Sequence, residues 1–267
     1  MAQNFQTNRN SLLTEGWKLN ENALFRPFRF FPMTPTKMRI LTIDIGGSGL
    51  KATMTDQDGN TLVEYQKRNT PPNANPDMIV LAIKELLAEF PEFDCVSVGF
   101  PGYVRNGIVH TAPNLDNESW KLTNLAELLT QHLGKPTKVV NDADLQGLGI
   151  VSGRGLEMMM TLGTGFGTAI LLDGVLLPHL ELSHMPATKS KDYDAYIGEK
   201  ALQEIGERKW NKRMQKVLQT FKTVVNYDAL YISGGNAKKL NFPLDDNVKL
   251  VSNRDGIKGG SRLWNDF

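Results

Sequence analysis

The chain has 267 residues, 40% hydrophobic and 22% charged, and its 30 Lys+Arg against 29 Asp+Glu leave a net charge of +1. That balance excludes a highly basic nucleic-acid binder and an acidic disordered chain, and the composition is that of a soluble globular protein. The length suits one large domain or two modest ones around a cleft, and the lone cysteine, Cys95, excludes an internal disulfide and a multi-cysteine zinc site.

No apolar run approaches the roughly 18 residues of a membrane span, so no membrane partner is expected. A reducing, cytoplasmic setting fits the cysteine usage. Residues 1–37 carry Arg9, Lys18, Arg26, Arg29 and Lys37 against Glu15 and Glu21, and include a Pro-broken aromatic stretch from Phe25 to Pro32. Without an apolar run followed by a small-residue cleavage site they do not read as a signal peptide. They read as an N-terminal extension, or as a docking arm that packs Phe28, Phe30 and Phe31 on the body.

From Met38 the pattern changes. Arg39 to Ile45 is rich in β-branched residues and meets Gly46-Gly-Ser-Gly49, a strand entering a tight turn. Leu50–Thr55 alternates as a second strand, and Asp58-Gly59-Asn60 turns it into a third, Thr61–Tyr65, which makes an antiparallel meander. Asn75-Pro76-Asp77 starts a helix whose Ile79, Ile83, Leu86, Leu87 and Phe90 share one face. Phe93–Phe100 is a strand, Leu125–Leu133 a helix stopped by Gly134, and Thr137–Val140 a strand leading into a helix at Asn141-Asp142.

The motif then repeats. Glu157–Leu162 runs into Gly163-Thr-Gly-Phe-Gly167, followed by Thr168–Leu172, Asp173-Gly174 and Val175–Leu177. Two copies about 120 residues apart predict two related α/β domains, residues 38–140 and 141–267, each opening with a hairpin whose glycine tip approaches something closely. Helices are expected over Ala195–Ile205 and Lys209–Val225, a strand over Ala229–Ser233, and another helix after Gly234-Gly235. A strand near Val248–Val251 and a helix after Asp255 complete the chain, the last helix being a candidate to return to the first domain.

A glycine tip offers backbone N–H groups to a phosphate because no Cβ obstructs the approach, and two facing tips can hold a polyphosphate chain. Neither a Walker loop nor a dinucleotide fingerprint is present, since Gly163-x-Gly165-x-Gly167 has the wrong spacing and runs into a strand. Asp44, beside the first tip, can hold Mg²⁺ through water or can stabilise the turn; Leu162 takes its place in the second copy. Lys51 faces the phosphates or is solvated. Asp142 is either a base that accepts a hydroxyl proton as that oxygen attacks phosphorus, or a helix N-cap. Glu181 and His184, three apart, can grip adjacent hydroxyls of a polyol, form a structural pair or contribute to a metal site. The turns at Gly99–Gly102 and Ala112–Leu115 can add backbone of Gly102 and the Asn114 amide to the same site, or are structural.

Together the Asp44-Ile-Gly-Gly-Ser tip, the Asn141-Asp142 pair, the Leu162–Gly167 tip, Glu181-x-x-His184 and the late Ile232-Ser-Gly-Gly235 turn resemble the ordered motifs of ROK-type sugar kinases, and most of all those of the polyphosphate glucokinases. The resemblance runs from Met38 to the end. It implies an actin-like, ribonuclease-H-like ATPase fold with two related α/β domains flanking a cleft. It further implies that Asp142 is the general base and that Asn141, Glu181 and His184 bind the sugar. Both tips would hold the phosphoryl donor: Gly46, Gly47, Ser48, Gly49 and Lys51 on one side, Gly163, Thr164, Gly165, Gly167, Gly234 and Gly235 on the other.

Two departures stand out. Ala187–Asp192 replaces the Cys-rich zinc motif of many relatives, so no structural zinc is expected, and Ser183 stands where the family pair has glycine. The expected partners are therefore a sugar and polyphosphate or ATP with Mg²⁺, and no nucleic acid, the residues before Met38 being too short and Pro-broken for a helix-turn-helix domain. The basic run Arg208, Lys209, Lys212, Arg213 and Lys216 is either a polyphosphate track or a solvated helix face. Glucose O6 is the expected acceptor. Another hexose such as mannose or an amino sugar, a catalytically silent sugar-binding relative, and an actin-like scaffold remain as alternatives, and the oligomeric state stays open between monomer and homodimer.

Overall fold

A computed structural model describes residues 37–252 and 256–265. The expectations placed on residues 1–36, and the start of the helix expected after Asp255, lie outside the described residues.

Strand β1 (Arg39–Ile45) pairs antiparallel with β2 (Gly49–Asp56), and β2 with β3 (Thr61–Asn69). The Asp56 carboxylate fixes the second turn by accepting the amides of Asp58 and Asn60 at 3.0 and 2.9 Å. Helix α1 (Pro76–Leu86) starts where Asn75 Oδ1 accepts the Met78 amide at 3.0 Å, with proline at its first position. Strand β4 (Cys95–Phe100) then lies parallel to β1. A short ribbon of β5 (Val104–Arg105) and β6 (Ile108–Val109) precedes α2 (Asn117–Trp120) and α3 (Leu125–Leu133), and β7 (Thr137–Asn141) closes the first sheet in the order β3-β2-β1-β4-β7. Ile79 and Ile83 of α1 and Leu125 and Leu129 of α3 bury against this sheet with Leu41, Ile43 and Val98. Their 3.6-residue spacing meets the two-residue spacing of the strands, which is why both patterns are visible in the sequence.

After α4 (Asp142–Ile150) the arrangement recurs. Strands β8 (Leu156–Leu162), β9 (Phe166–Leu172) and β10 (Val175–Leu176) form the antiparallel part. A 3₁₀ turn at Leu182–His184 leads to α5 (Tyr193–Ile197) and α6 (Glu199–Val225), and β11 (Ala229–Ser233) and β12 (Val248–Leu250) add in parallel, giving the order β10-β9-β8-β11-β12. The helix expected over Ala195–Ile205 is divided at Gly198, which is extended at φ −64° and ψ 176°. The second interruption falls at Gly206, whose φ of 75° breaks α6 before the basic run. The helix expected after Gly235 is a single 3₁₀ segment, Gly235–Lys239. Met158, Met160 and Ile232 pack against Trp210, Met214 and Phe221 of α6 on one face of this sheet, while Leu148 of α4 meets Met159 and Leu171 on the other.

The last segment, a 3₁₀ helix over Ile257–Trp264, packs on the first sheet. Ser97 Oγ of β4 donates to the Gly260 carbonyl at 2.7 Å and accepts from the Trp264 indole at 2.9 Å. A Cβ on Gly260 would collide with the Thr42 side chain of β1. Gly260→Val should therefore lower the melting temperature by several degrees in a calorimetric scan, an overpacking cost of about 1–3 kcal/mol; an unchanged transition would show that this contact is not needed for stability.

Candidate active site

Between the two repeated hairpins lies a cavity of ≈ 310 Å³, a size that suits a small polar ligand. Its walls bring together nearly all the residues singled out in the sequence. Asp44, Gly46, Gly47, Ser48 and Lys51 come from the first hairpin, and Gly163, Thr164, Gly165 and Gly167 from the second. Gly102 and Asn114 come from turns, Asn141 and Asp142 from the start of α4, Glu181 and His184 from the segment after β10, and Gly234 and Gly235 from the turn after β11. Gly49 stays outside the lining and closes the first tip, its carbonyl accepting the Gly46 amide at 2.9 Å.

The tips offer fewer amides than the glycine spacing suggests. In the second, the Gly163 amide donates to the Gly165 carbonyl at 3.0 Å, that of Phe166 to Asp194 Oδ1 at 2.7 Å, and that of Gly167 to Thr161 Oγ1 at 3.1 Å. These bonds hold the loop in shape. They leave the Gly47 and Ser48 amides in the first tip, and those of Thr164 and Gly165 in the second, without an acceptor among the described residues.

The pairing also corrects the alignment of the two copies. Ile45↔Leu50 and Leu162↔Phe166 are the last rungs of their hairpins, so the counterpart of Asp44 is Thr161, and Leu162 is a buried core residue. Lys51 is not simply solvated, because its Nζ lies 2.9 Å from Asp44 Oδ2. Burial alone would lower the lysine; the charge and hydrogen bond of Asp44, with Tyr65, outweigh it and hold the ammonium above its ordinary range.

At the floor of the cleft the N-cap of α4 is Asn141, in extended backbone, with Oδ1 accepting the Ala143 amide at 2.8 Å. Asp142 is the first helical residue and so is not the cap, although its Oδ1 also reaches that amide at 2.8 Å. Asn141 Nδ2 donates to the Gly102 carbonyl at 2.9 Å, so this side chain ties the Gly102 turn to α4 and keeps one N–H for a ligand. Burial pushes the Asp142 carboxyl up to about 7. The charge of Asp44 adds to this, the Ala143 amide opposes it, and Asp144 and Glu181 add further. That range is where a general base works best at neutral pH.

Glu181 is held on both oxygens. Oε1 meets His179 Nε2 at 2.8 Å and Oε2 accepts Ser183 Oγ at 3.0 Å. Ser183 thus supplies a hydroxyl that fastens the neighbouring carboxylate. His184 is mostly exposed, 3.8 Å from Glu181 Oε2 and 3.4 Å from Asp192 Oδ2. Burial alone would raise Glu181, but the His179 hydrogen bond and charge, with Ser183 and His184, hold it below the usual glutamate range.

Sequence reasoning missed His179, Asp144, Thr161 and Asp194. The signal for His179 was present, since an extended segment puts residues two apart on one side and His179 precedes Glu181 by two. The basic run of α6 is not part of the cleft lining. Arg213 is withdrawn from that run: it donates to the Tyr196 carbonyl at 2.7 Å and lies 4.3 Å over its ring, leaving Lys212 and Lys216 in a shallow surface depression.

Among the described residues no three metal-ligating side chains converge. Asp44, with Oδ2 on Lys51 and Oδ1 remaining, suits Mg²⁺ all the same. That ion takes one or two carboxylates and fills its other positions with water and phosphate oxygens.

Known proteins are similar to this chain in sequence and fold. The sequence model of the ROK family matches residues 40–188. A polyphosphate glucokinase of Mycobacterium tuberculosis is 31% identical over 235 residues, 85% of this chain and 87% of its own. The crystal structure of an inorganic polyphosphate/ATP-glucomannokinase from Arthrobacter sp. strain KM superposes with a TM-score of 0.76 at 29% identity, covering 85% of this chain and 98% of that one. A ROK family glucokinase from Streptomyces griseus, in complex with glucose and AMPPNP, has a TM-score of 0.71 at 20% identity over 84% of this chain and 98% of its own, which is a likeness of fold.

Proposed function

This chain belongs to the ROK family, and from that premise and the cleft geometry we propose that it transfers a phosphoryl group from polyphosphate, ATP or both to O6 of glucose. It is a phosphotransferase with a sugar hydroxyl acceptor and has the actin-like fold of the family's sugar kinases. The observation that carries the reading is the place of Asp142, at the floor of a cleft between two glycine tips and beside Glu181, where burial raises its carboxyl to about 7.

In the proposed reaction Asp142 accepts the O6 proton as that oxygen attacks the terminal phosphorus. The bond from phosphorus to the bridging oxygen breaks, and the leaving group is a polyphosphate shorter by one unit, or ADP. The free amides of Gly47, Ser48, Thr164 and Gly165 line the donor's path, with Lys51 and the Gly234-Gly235 turn beside them. Asp44 would hold Mg²⁺ through water, which supplies neutralisation of phosphate charge. Glu181, His184, the remaining Asn141 N–H and Asn114 bind sugar hydroxyls. Closure of the cleft would exclude water, the competing acceptor. We place the enzyme in the cytoplasm. Mannose is a second acceptor to consider, favoured by the likeness to a glucomannokinase.

A matrix of polyphosphate and ATP against several hexoses, with and without Mg²⁺, tests the reading. Glucose-dependent donor consumption that needs Mg²⁺ is expected, and no sugar-dependent consumption with any donor would favour a silent binding protein.

The pH profile follows from the base. Asp142 acts only when ionised, so kcat should fall about tenfold per unit as pH drops below about 7 and level off above it. Asp44, Asp144 and Glu181 face it as like charges, with Lys51 and His179 as the neighbouring cations. A flat profile between pH 5 and 8 would contradict the assignment.

A further inference from the structure

His179 is buried on the sugar side of the cleft, with 8% of its side chain exposed, and lies between two carboxylates. Its Nδ1 is 2.9 Å from Asp144 Oδ2 and its Nε2 is 2.8 Å from Glu181 Oε1. Its ring also stacks on Tyr103, at 6.1 Å and 21°, which stacks in turn on His110 at 4.8 Å and 26°. Three parts of the chain therefore fix the ring: helix α4 through Asp144, the ribbon around β5 and β6 through Tyr103, and the segment that carries Glu181.

Asp144 is 3% exposed; burial raises its carboxyl above the usual range, and the contact with charged His179 opposes that rise. Imidazolium suits the place: its Nε2 hydrogen-bonds Glu181, and its charge pairs with Asp144 across the 2.9 Å Nδ1 contact, which is an ion pair without hydrogen-bond geometry. Burial alone would lower His179; the contacts and charges of Asp144 and Glu181 outweigh it and push the ring up to about 10. On its other oxygen Glu181 is held by Ser183. A free glutamate has three side-chain torsions to order when a sugar binds, and a glutamate already held at both oxygens avoids that cost.

We propose that His179, together with Ser183, is a positioning residue that presets the Glu181 carboxylate for the hexose hydroxyls, with Asp144 orienting the imidazole from behind. This rests on the reading of Glu181 as a sugar ligand. The sequence assigns His179 no role.

The test uses the full chain, glucose titration calorimetry and steady-state kinetics. His179→Leu should raise the glucose Kd and KM about 10- to 100-fold, the loss expected for a hydrogen bond to a charged group, and leave the donor KM unchanged. His179→Gln, which can still donate to Glu181, should recover part of that loss; a residue that only fills the core would show no such recovery and would shift both KM values and the melting temperature together. In a double-mutant cycle the effect of His179→Leu should largely vanish in a Glu181→Gln background. Native glucose affinity in His179→Leu, or additive effects in the cycle, would overturn the proposal. If Glu181→Gln alone binds glucose as the native enzyme does, the sugar-site reading falls, and the clamp with it. Should His179→Leu fail to fold, Ser183→Ala releases the other oxygen and should raise the glucose Kd about tenfold; an unchanged value would equally overturn the proposal.

Discussion

Asp142→Ala is expected to lower kcat by about 100- to 10,000-fold, the range for removal of a general base, while hexose affinity stays close to that of the native enzyme. The helix should survive, because Asn141 holds the N-cap and its Oδ1 continues to accept the Ala143 amide when Asp142 is gone. Asp142→Asn is the sharper form of the same test. It keeps the shape and the acceptor on the Ala143 amide but has no basicity, so it should be as slow as the alanine variant. Rapid-quench turnover and glucose calorimetry on both variants decide the matter, and a near-native rate in either would remove Asp142 as the base.

Gly165→Val should act on the other substrate. A Cβ at Gly165 would lie 2.6 Å from Asp194 Oδ1, the atom that accepts the Phe166 amide and holds the second tip in shape. The larger side chain would displace that carboxylate and set two methyl groups beside the amides of Thr164 and Gly165, where the donor is proposed to lie. Loss of one well-placed donor to a developing negative charge costs about 100- to 1,000-fold, and kcat/KM for the phosphoryl donor should fall by that much. The glucose Kd should not move, because Glu181 and Asp142 are untouched. Donor kinetics close to native would place the phosphate path elsewhere. Asp142→Ala and Gly165→Val thus separate chemistry from donor binding in one cleft.

Much of this arrangement was legible in the chain because its signals are local. The two hairpins show as β-branched runs ending in glycine, and Asn75-Pro76 and Gly134 mark the ends of helices by turn chemistry that acts over a few residues. Asn106-Gly107, the turn between β5 and β6, carries the same kind of signal; both residues have positive φ, 52° and 76°, as such a hairpin needs. The ribbon it forms brings Tyr103 to His179.

Other features have no local signal. Arg213 shares a helical face with Lys209, Lys212 and Lys216 in the sequence, yet it folds onto Tyr196 because α5 lies against that turn of α6. Counting along the chain sets Leu162 at the place of Asp44, whereas the strand register makes Thr161 its counterpart.

The sequence by itself determined the repeated α/β plan, the two glycine tips, and the acidic and imidazole residues available for chemistry, since each depends on periodicity or turn preference within one stretch of chain. Tertiary structure decided what those residues do. It made Asn141 the helix cap and freed Asp142, tied Lys51 to Asp44, committed half of the tip amides to the loops themselves, and set His179 between Asp144 and Glu181. The physical reason is that charge and hydrogen-bond partners are chosen by distance in space. Two sheets whose hairpins face one cleft bring together groups that lie far apart along the chain.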